Sequence, residues 1–271
     1  MCGILGIGYY HDGVLSDLKA KAVRHVATAL LKESQIRGGS AAGILSITKT
    51  KAAMYKDGVT AAQLVSEDEY RKVLDRTVFA NSTFKCIIGH TRAQTKGSYL
   101  YNCNNHPIQS GSIIGVHNGT ISNDDRLFET MELGERHGVV DSEVIFSLIN
   151  KFREAGKSLA LSVQKAHEVL RGGYACAFVD INNPRYLNIF REGKWSPVIV
   201  YRYEAGGFYI FASEETILRR ATEGKDAGCL QHGYATEKME IKDEGIRLDL
   251  YEKGAAFKYN LEMSHPGVTG I

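Results

Sequence analysis

The stretch Cys2-Gly3-Ile4-Leu5-Gly6-Ile7-Gly8-Tyr9 follows Met1 directly. Its run of apolar and small residues reads as a buried strand over Gly3 to Tyr9, with a cysteine at the leading end. Met1 is removable because the next side chain is small, and its removal leaves a thiol and a free α-amine on one residue. The unperturbed amine pKa of about 7.7–8.0 lies close to the thiol's of about 8.5, so near neutrality the amine can take the thiol's proton. Nucleophile and base then share one residue, a known device for acyl transfer. The other reading of Cys2 is a small residue opening a strand.

Further apolar, β-branched runs predict strands near Ala42 to Thr48, Cys86 to Thr91, Ser112 to Val116, Tyr174 to Asp180, Tyr186 to Phe190, Val198 to Tyr203, Phe208 to Ala212 and Ile246 to Tyr251. Helical spacing predicts a helix from Ser16 to Ser34, with Ser16 as N-cap and Leu18, Ala22, Val26, Ala29 and Leu30 on one face. Asp141 to Glu154 repeats the pattern behind an acidic first turn, and Leu159 to Leu170 and Glu214 to Thr222 are shorter helices. Strand groups with segregated helices fit a layered α+β architecture, and no linker or internal repeat divides the chain.

Four segments outside the first strand carry polar groups suited to chemistry. Gly89-His90-Thr91-Arg92-Ala93-Gln94-Thr95-Lys96-Gly97 places an arginine at a strand end, where its planar fork suits a carboxylate or simply faces solvent. Asn105-His106-Pro107-Ile108 forms an extended turn, with His106 either a turn residue or a site group. In Gly115-Val116-His117-Asn118-Gly119-Thr120-Ile121, the Asn118 amide and the Gly119 N–H supply two donors able to converge on one oxygen. The plain alternative there is a β-hairpin turn. Asp141, opening Asp141-Ser142-Glu143, is an N-cap or a partner for an ammonium. A nucleophile, a carboxylate clamp, an oxyanion hole and an ammonium partner together describe a site for an amino-acid amide, glutamine above all.

Composition narrows the field. The 271 residues are 44% hydrophobic and 24% charged, and 33 Lys+Arg against 31 Asp+Glu give a net charge of +2. With charges interspersed, nothing suggests a nucleic-acid or membrane-surface partner. No window is apolar enough to span a bilayer, and the start lacks the cationic flank of a signal peptide, so a cytoplasmic protein is expected. Five scattered cysteines without CxxC spacing argue against a disulfide framework or a zinc cluster. Cys86, Cys103, Cys176 and Cys229 read as fillers or surface thiols, and His232 and Trp195 show no partner.

In order along the chain, Cys2-Gly3-Ile4-Leu5-Gly6, Arg37-Gly38-Gly39-Ser40-Ala41-Ala42-Gly43, His90-Thr91-Arg92 through Gly97, His106-Pro107, His117-Asn118-Gly119, Asp141-Ser142-Glu143-Val144-Ile145, Leu170-Arg171-Gly172-Gly173-Tyr174 and Phe211-Ala212-Ser213-Glu214 resemble the glutaminase domain of class II glutamine amidotransferases. The resemblance implies a four-layer αββα N-terminal nucleophile hydrolase sandwich. It implies Cys2 as nucleophile and base, Asn118 and Gly119 as the oxyanion hole, Arg92 on the glutamine carboxylate, Asp141 on its ammonium, and Thr95 and His106 as further substrate contacts. It implies no metal or organic cofactor. Residues 1–271 are then expected as a single amidotransferase domain with a possible tail over 254–271, releasing ammonia to a synthase subunit in trans. Ala93 and Lys96 stand where the family has an aromatic and a histidine, and Ser40 where it has an aspartate. A free-standing glutaminase or γ-glutamyl amide hydrolase, a cysteine acylase of the same superfamily, and a catalytically silent glutamine-binding module are the alternatives.

Overall fold

Strand β1 (Gly3–Tyr9) is buried along its whole length. Leu5, Ile7 and Tyr9 pack into one apolar cluster and Ile4 into another, so the strand has protein on both faces. This is why its sequence reads as a continuous run instead of alternating with polar residues. The computed structural model describes residues 1–79, 83–193, 196–242, 245–251 and 256–259.

Among these, β1 is followed by α1 (Asp17–Ser34), β2 (Ala41–Thr48), β3 (Ala52–Asp57), α2 (Ala61–Leu64), α3 (Asp68–Leu74), β4 (Phe84–Arg92), β5 (Ile108–Ser110) and β6 (Ile113–Ile121). Then come α4 (Asp124–Thr130), α5 (Ser142–Glu154), α6 (Leu159–Val169), β7 (Gly172–Asp180), β8 (Tyr186–Glu192), β9 (Val198–Tyr203) and β10 (Phe208–Ala212). The described chain closes with α7 (Glu215–Ala221), β11 (Glu237–Ile241), β12 (Gly245–Asp249) and β13 (Ala256–Tyr259).

The strands form two antiparallel sheets, ordered β11-β9-β10-β1-β4-β2-β3 and β13-β12-β8-β7-β6-β5. Three cores separate four layers. One joins α1, α3 and α7 to the first sheet, the second lies between the sheets, and the third joins α5 and α6 to the second sheet. The expected αββα layering is therefore present.

Local chemistry explains the helix ends and faces. The Ser16 hydroxyl accepts from the Lys19 N–H and caps α1. Leu18, expected on the buried face of α1, is 80% exposed, while Val23, Ala27 and Leu31 are buried. The helix turns a broader stripe inward than the sequence pattern suggested, centred away from its first turn. In α5 the buried set runs from Ser142 to Ile149, so of the stripe that helical spacing predicts, Val144, Ile145 and Leu148 are buried and Phe152 is half-buried against the same core. His232, for which the sequence offers no partner, sets its ring edge-on to Tyr201 at 5.1 Å. Of the stretch expected as a tail, residues 256–259 pair as β13 with β12. The rest of it lies outside the described residues, as does Trp195.

Candidate active site

Cys2 sits just ahead of β1, and three separate motifs converge on it. The register pairs Gly3 with Thr91, bringing the end of β4 alongside. There the Ala93 N–H approaches the Cys2 Sγ at 3.4 Å, and the thiol in turn reaches the Ala93 carbonyl at 3.5 Å. Arg37 donates from Nε to the Cys2 carbonyl at 2.7 Å and pairs through Nη1 with Glu214. Ser213 accepts from the Ile4 N–H at 2.9 Å. Gly38 permits this convergence, since a Cβ there would lie 2.3 Å from the Arg92 carbonyl carbon. The Arg37 motif thus anchors the Cys2 backbone. Ser40 keeps a local place in the same network, donating its N–H to the Arg92 carbonyl.

Burial pushes the Cys2 thiol pKa up. The Ala93 N–H, the terminal ammonium, Arg92 and Arg37 all oppose that rise by favouring the thiolate. A thiol in this setting needs a base beside it to become a nucleophile.

The second sheet faces Cys2 with β6. Asn118 and Gly119 are not a hairpin turn: both lie within the ladder, paired with Ala175 and Tyr174 of β7. Gly119 has φ +134°, and a Cβ there would meet the Gly173 carbonyl at 2.2 Å, so this backbone approach requires glycine. A cleft of about 380 Å³ is lined by Cys2, Ala93, Thr95, Asn118, Gly119 and Gly173, among others.

Within the cleft wall, the Asn118 side-chain Nδ2 is buried without a partner. Ile121 donates its N–H to Asp141 Oδ2 at 2.7 Å, and the His117 carbonyl accepts from His90. Alternate residues of an antiparallel strand turn their amide groups to the same side. Gly119, between these two, therefore presents its N–H on that edge, toward the cleft it lines. Cys2, Asn118 and Gly119 thus line one space.

Arg92, Asp141 and His106 are not part of this lining. Arg92 donates from Nη2 to the Lys96 and Gly97 carbonyls, both at 2.7 Å, and from Nη1 to Asn105 Oδ1 at 2.9 Å. Burial lowers its pKa while Cys2 and Asp141 raise it, which places the three groups in one electrostatic neighbourhood. Asp141 occupies the N-cap position of α5 without a capping bond, spending one oxygen on Ile121 instead. His106 is buried, its ring 4.1 Å from that of His90 and both its nitrogens without partners.

Other residues escaped the sequence reading. Lys56 donates to the Asn105 and Pro107 carbonyls at 2.6 and 2.8 Å, and burial pushes its pKa down to about 8. Lys96 pairs with Asp124 at 2.7 Å and Asp125 at 3.0 Å, tying the loop after Arg92 to the start of α4. Ser142 bonds His117 Nδ1 at 2.7 Å. Each depends on a contact distant in sequence.

Comparison with known proteins fits this geometry. Residues 90–220 match the family described as "Glutamine amidotransferase domain". The chain carries a class II glutamine amidotransferase domain. It is 31% identical over 211 residues to the glutamine--fructose-6-phosphate aminotransferase [isomerizing] of Sulfurisphaera tokodaii, covering 77% of this chain and 33% of that one. The Bacillus subtilis protein of the same name is 32% identical over 203 residues, 74% of this chain and 30% of that one. The chain thus spans about a third of the length of these relatives. Among solved structures, the glutamine phosphoribosylpyrophosphate amidotransferase from B. subtilis superposes with a TM-score of 0.66 at 19% identity, over 97% of this chain and half of that one. A class-II domain protein from Silicibacter pomeroyi gives a TM-score of 0.53 at 15% identity over 95% of this chain and 98% of that one. The two packed antiparallel sheets are those of the N-terminal nucleophile hydrolase fold. Among the described residues, no helix is long and apolar enough to cross a membrane, and no cluster of His, Cys, Asp and Glu could hold a metal ion.

Proposed function

We propose that this amidotransferase domain hydrolyses the side-chain amide of L-glutamine through a Cys2 thioester, with residues 1–271 acting as one unit. The observation that carries the reading is the unpartnered Asn118 Nδ2 in the same cleft as the Cys2 thiol. A buried donor without an acceptor is costly, and a tetrahedral oxyanion supplies the missing acceptor.

With Met1 removed, the Cys2 α-amine takes the thiol proton and the sulfur attacks the glutamine Cδ. The carbonyl electrons move onto oxygen, held by Asn118 Nδ2 and the Gly119 N–H. Collapse breaks the C–N bond, and the proton held by the amine passes to the leaving nitrogen as ammonia departs. Water then attacks the thioester, giving glutamate and regenerating the thiol. Arg92 takes the α-carboxylate, which replaces the Lys96 and Gly97 carbonyls on Nη2. The free oxygen of Asp141 takes the α-ammonium, while Thr95 and His106 complete the substrate side.

We place the acceptor of ammonia in a synthase subunit in trans; relatives whose names couple glutamine to a sugar phosphate support an acceptor of that kind, although their chains, about three times as long as the matched part, continue beyond it in one polypeptide. The free state of all five cysteines suits the reducing cytoplasm. Intact mass establishes whether Met1 is removed, and glutamate release is then compared for the processed protein and Cys2→Ala. Release that survives Cys2→Ala refutes the mechanism. Glutamine binding without glutamate release, even with the synthase subunit added, establishes a silent module instead.

A further inference from the structure

We infer that His90 is the positioning residue that holds the oxyanion hole at its working distance from the nucleophile. The inference rests on the glutaminase reading above. His90 lies on β4 and pairs in register with Ile4, two residues from Cys2. Its Nε2 donates to the carbonyl of His117, the residue before Asn118, at 2.9 Å in a fully buried contact. The bond therefore joins the sheet that carries the thiol to the sheet that carries the hole, next to both.

The bridge meets a need set by topology. Strand β5 pairs with β6 only from Ser110 to Ile108, opposite Ile113 to Gly115. Among the described residues, the edge of β6 beyond Gly115 has no neighbouring strand, and the His117 carbonyl on that edge has His90 as its partner. Asp141 takes the Ile121 N–H on the same edge, so two side chains pin the strand on either side of Gly119. An oxyanion donor works only when held about 2.7–3.1 Å from the developing charge, and a misplacement of about 1 Å can cost a hundredfold in rate.

The chemical state of His90 is fixed by the same contact. A carbonyl oxygen accepts, so Nε2 carries the proton. Burial keeps the ring neutral, with a pKa pushed down to about 3, so the tautomer persists across the working range. The packing of the ring on His106 would survive replacement by any side chain of similar volume. The bond to His117 would not, and this separates positioning from filling space.

The test compares His90→Leu, which keeps bulk and removes the donor, with His90→Gln, whose amide nitrogen reaches near the position of Nε2. In glutamine hydrolysis the Leu variant is expected to lose about 10- to 100-fold in kcat, with KM changed less than about threefold, and the Gln variant to recover to within about tenfold of wild type. Backbone hydrogen exchange at residues 117–121 gives a readout independent of turnover. It should quicken in the Leu variant and return in the Gln variant. Unchanged exchange in His90→Leu overturns the inference whether or not the protein turns over glutamine. If the Leu variant does not fold, a folded Gln variant with near-wild-type exchange and kcat supports the bridge, and one that loses more than a hundredfold in kcat refutes it. Absence of glutamine hydrolysis in processed wild type would count against the glutaminase reading alone.

Discussion

Asn118→Ala separates the contribution of this side chain to the fold from its contribution to chemistry. Asn118 is 3% exposed and its Nδ2 has no partner, so the folded protein carries a desolvated, unsatisfied donor. Such a group costs about 1–3 kcal/mol, and truncation removes that cost. The lost packing of a small side chain works in the opposite direction, by roughly 1–2 kcal/mol. The two effects nearly cancel, so Tm should stay within about 4 °C of wild type, with a rise as probable in sign as a fall. Rate has no such compensation. Removing one oxyanion donor lowers kcat by about 10²–10³, while KM changes little because the charge forms only in the transition state. Calorimetry on the processed protein and a coupled glutamate assay read the two effects independently. A Tm fall of more than about 8 °C with kcat within threefold of wild type would make Asn118 a structural residue and remove the hole.

Acid should destabilise the protein before its carboxylates protonate. Burial lowers the pKa values of His90, His106 and His117, so the unfolded chain binds more protons than the folded one once pH falls below about 6.5. Stability is then fully present above that pH and decreases as pH falls, with a slope of up to roughly 1 kcal/mol per pH unit for each histidine. Urea midpoints should stay nearly level from pH 7.5 to about 6.5 and drop steadily from there to pH 5, and a flat profile would contradict neutral burial. A third prediction concerns Arg37, which donates to the Cys2 carbonyl and pairs with a Glu214 side chain that is 40% exposed. The buried charge-assisted bond outweighs the solvent-screened ion pair. Arg37→Ala should therefore cost about 1.5–3 kcal/mol and reduce activity, whereas Glu214→Gln should cost under about 1 kcal/mol. Equal costs in denaturant unfolding would place the anchor in the ion pair instead.

Legibility in the sequence followed position in the sheets. The strands β1, β9 and β10 coincide with the sequence expectation because each is an interior strand whose apolar run is itself the signal. The strands that the sequence reading missed are β3, β5, β11 and β13, the outer strands of the two sheets. Their residues show why. Glu237-Lys238-Met239-Glu240-Ile241 and Ala52-Ala53-Met54-Tyr55-Lys56-Asp57 mix charge into short segments, as strands with one open side commonly do to resist pairing with other chains. A reading tuned to apolar runs passes over them. In the site, the expected nucleophile, Thr95 and both oxyanion donors were brought together, since each lies at or near the end of a recognisable strand motif. The Lys56, Lys96 and His90 contacts were not legible, because each spans 27 or more residues and depends on which sheet edge faces which.

The same burial that hides such contacts also separates the polar groups near Cys2 that have partners from those that lack them among the described residues, including Asn118 Nδ2, both His106 nitrogens and His117 Nε2. Near Cys2, Arg37 is committed to a backbone carbonyl and Glu214, and Arg92 to two carbonyls and Asn105. His90 is committed to the His117 carbonyl, and Asp141 gives one oxygen to Ile121. These groups lie behind the cleft lining and hold it in place. The Asn118 Nδ2 stands beside them with no acceptor, in a cleft that also holds the thiol. Among groups of equal burial, a folded protein keeps an unpaired donor at a cost to its stability, and that cost is recovered only when an oxygen arrives. The unpaired Asn118 donor is therefore the group on which the proposed oxyanion role rests, whereas Arg92 must exchange protein carbonyls for substrate to play its own proposed part.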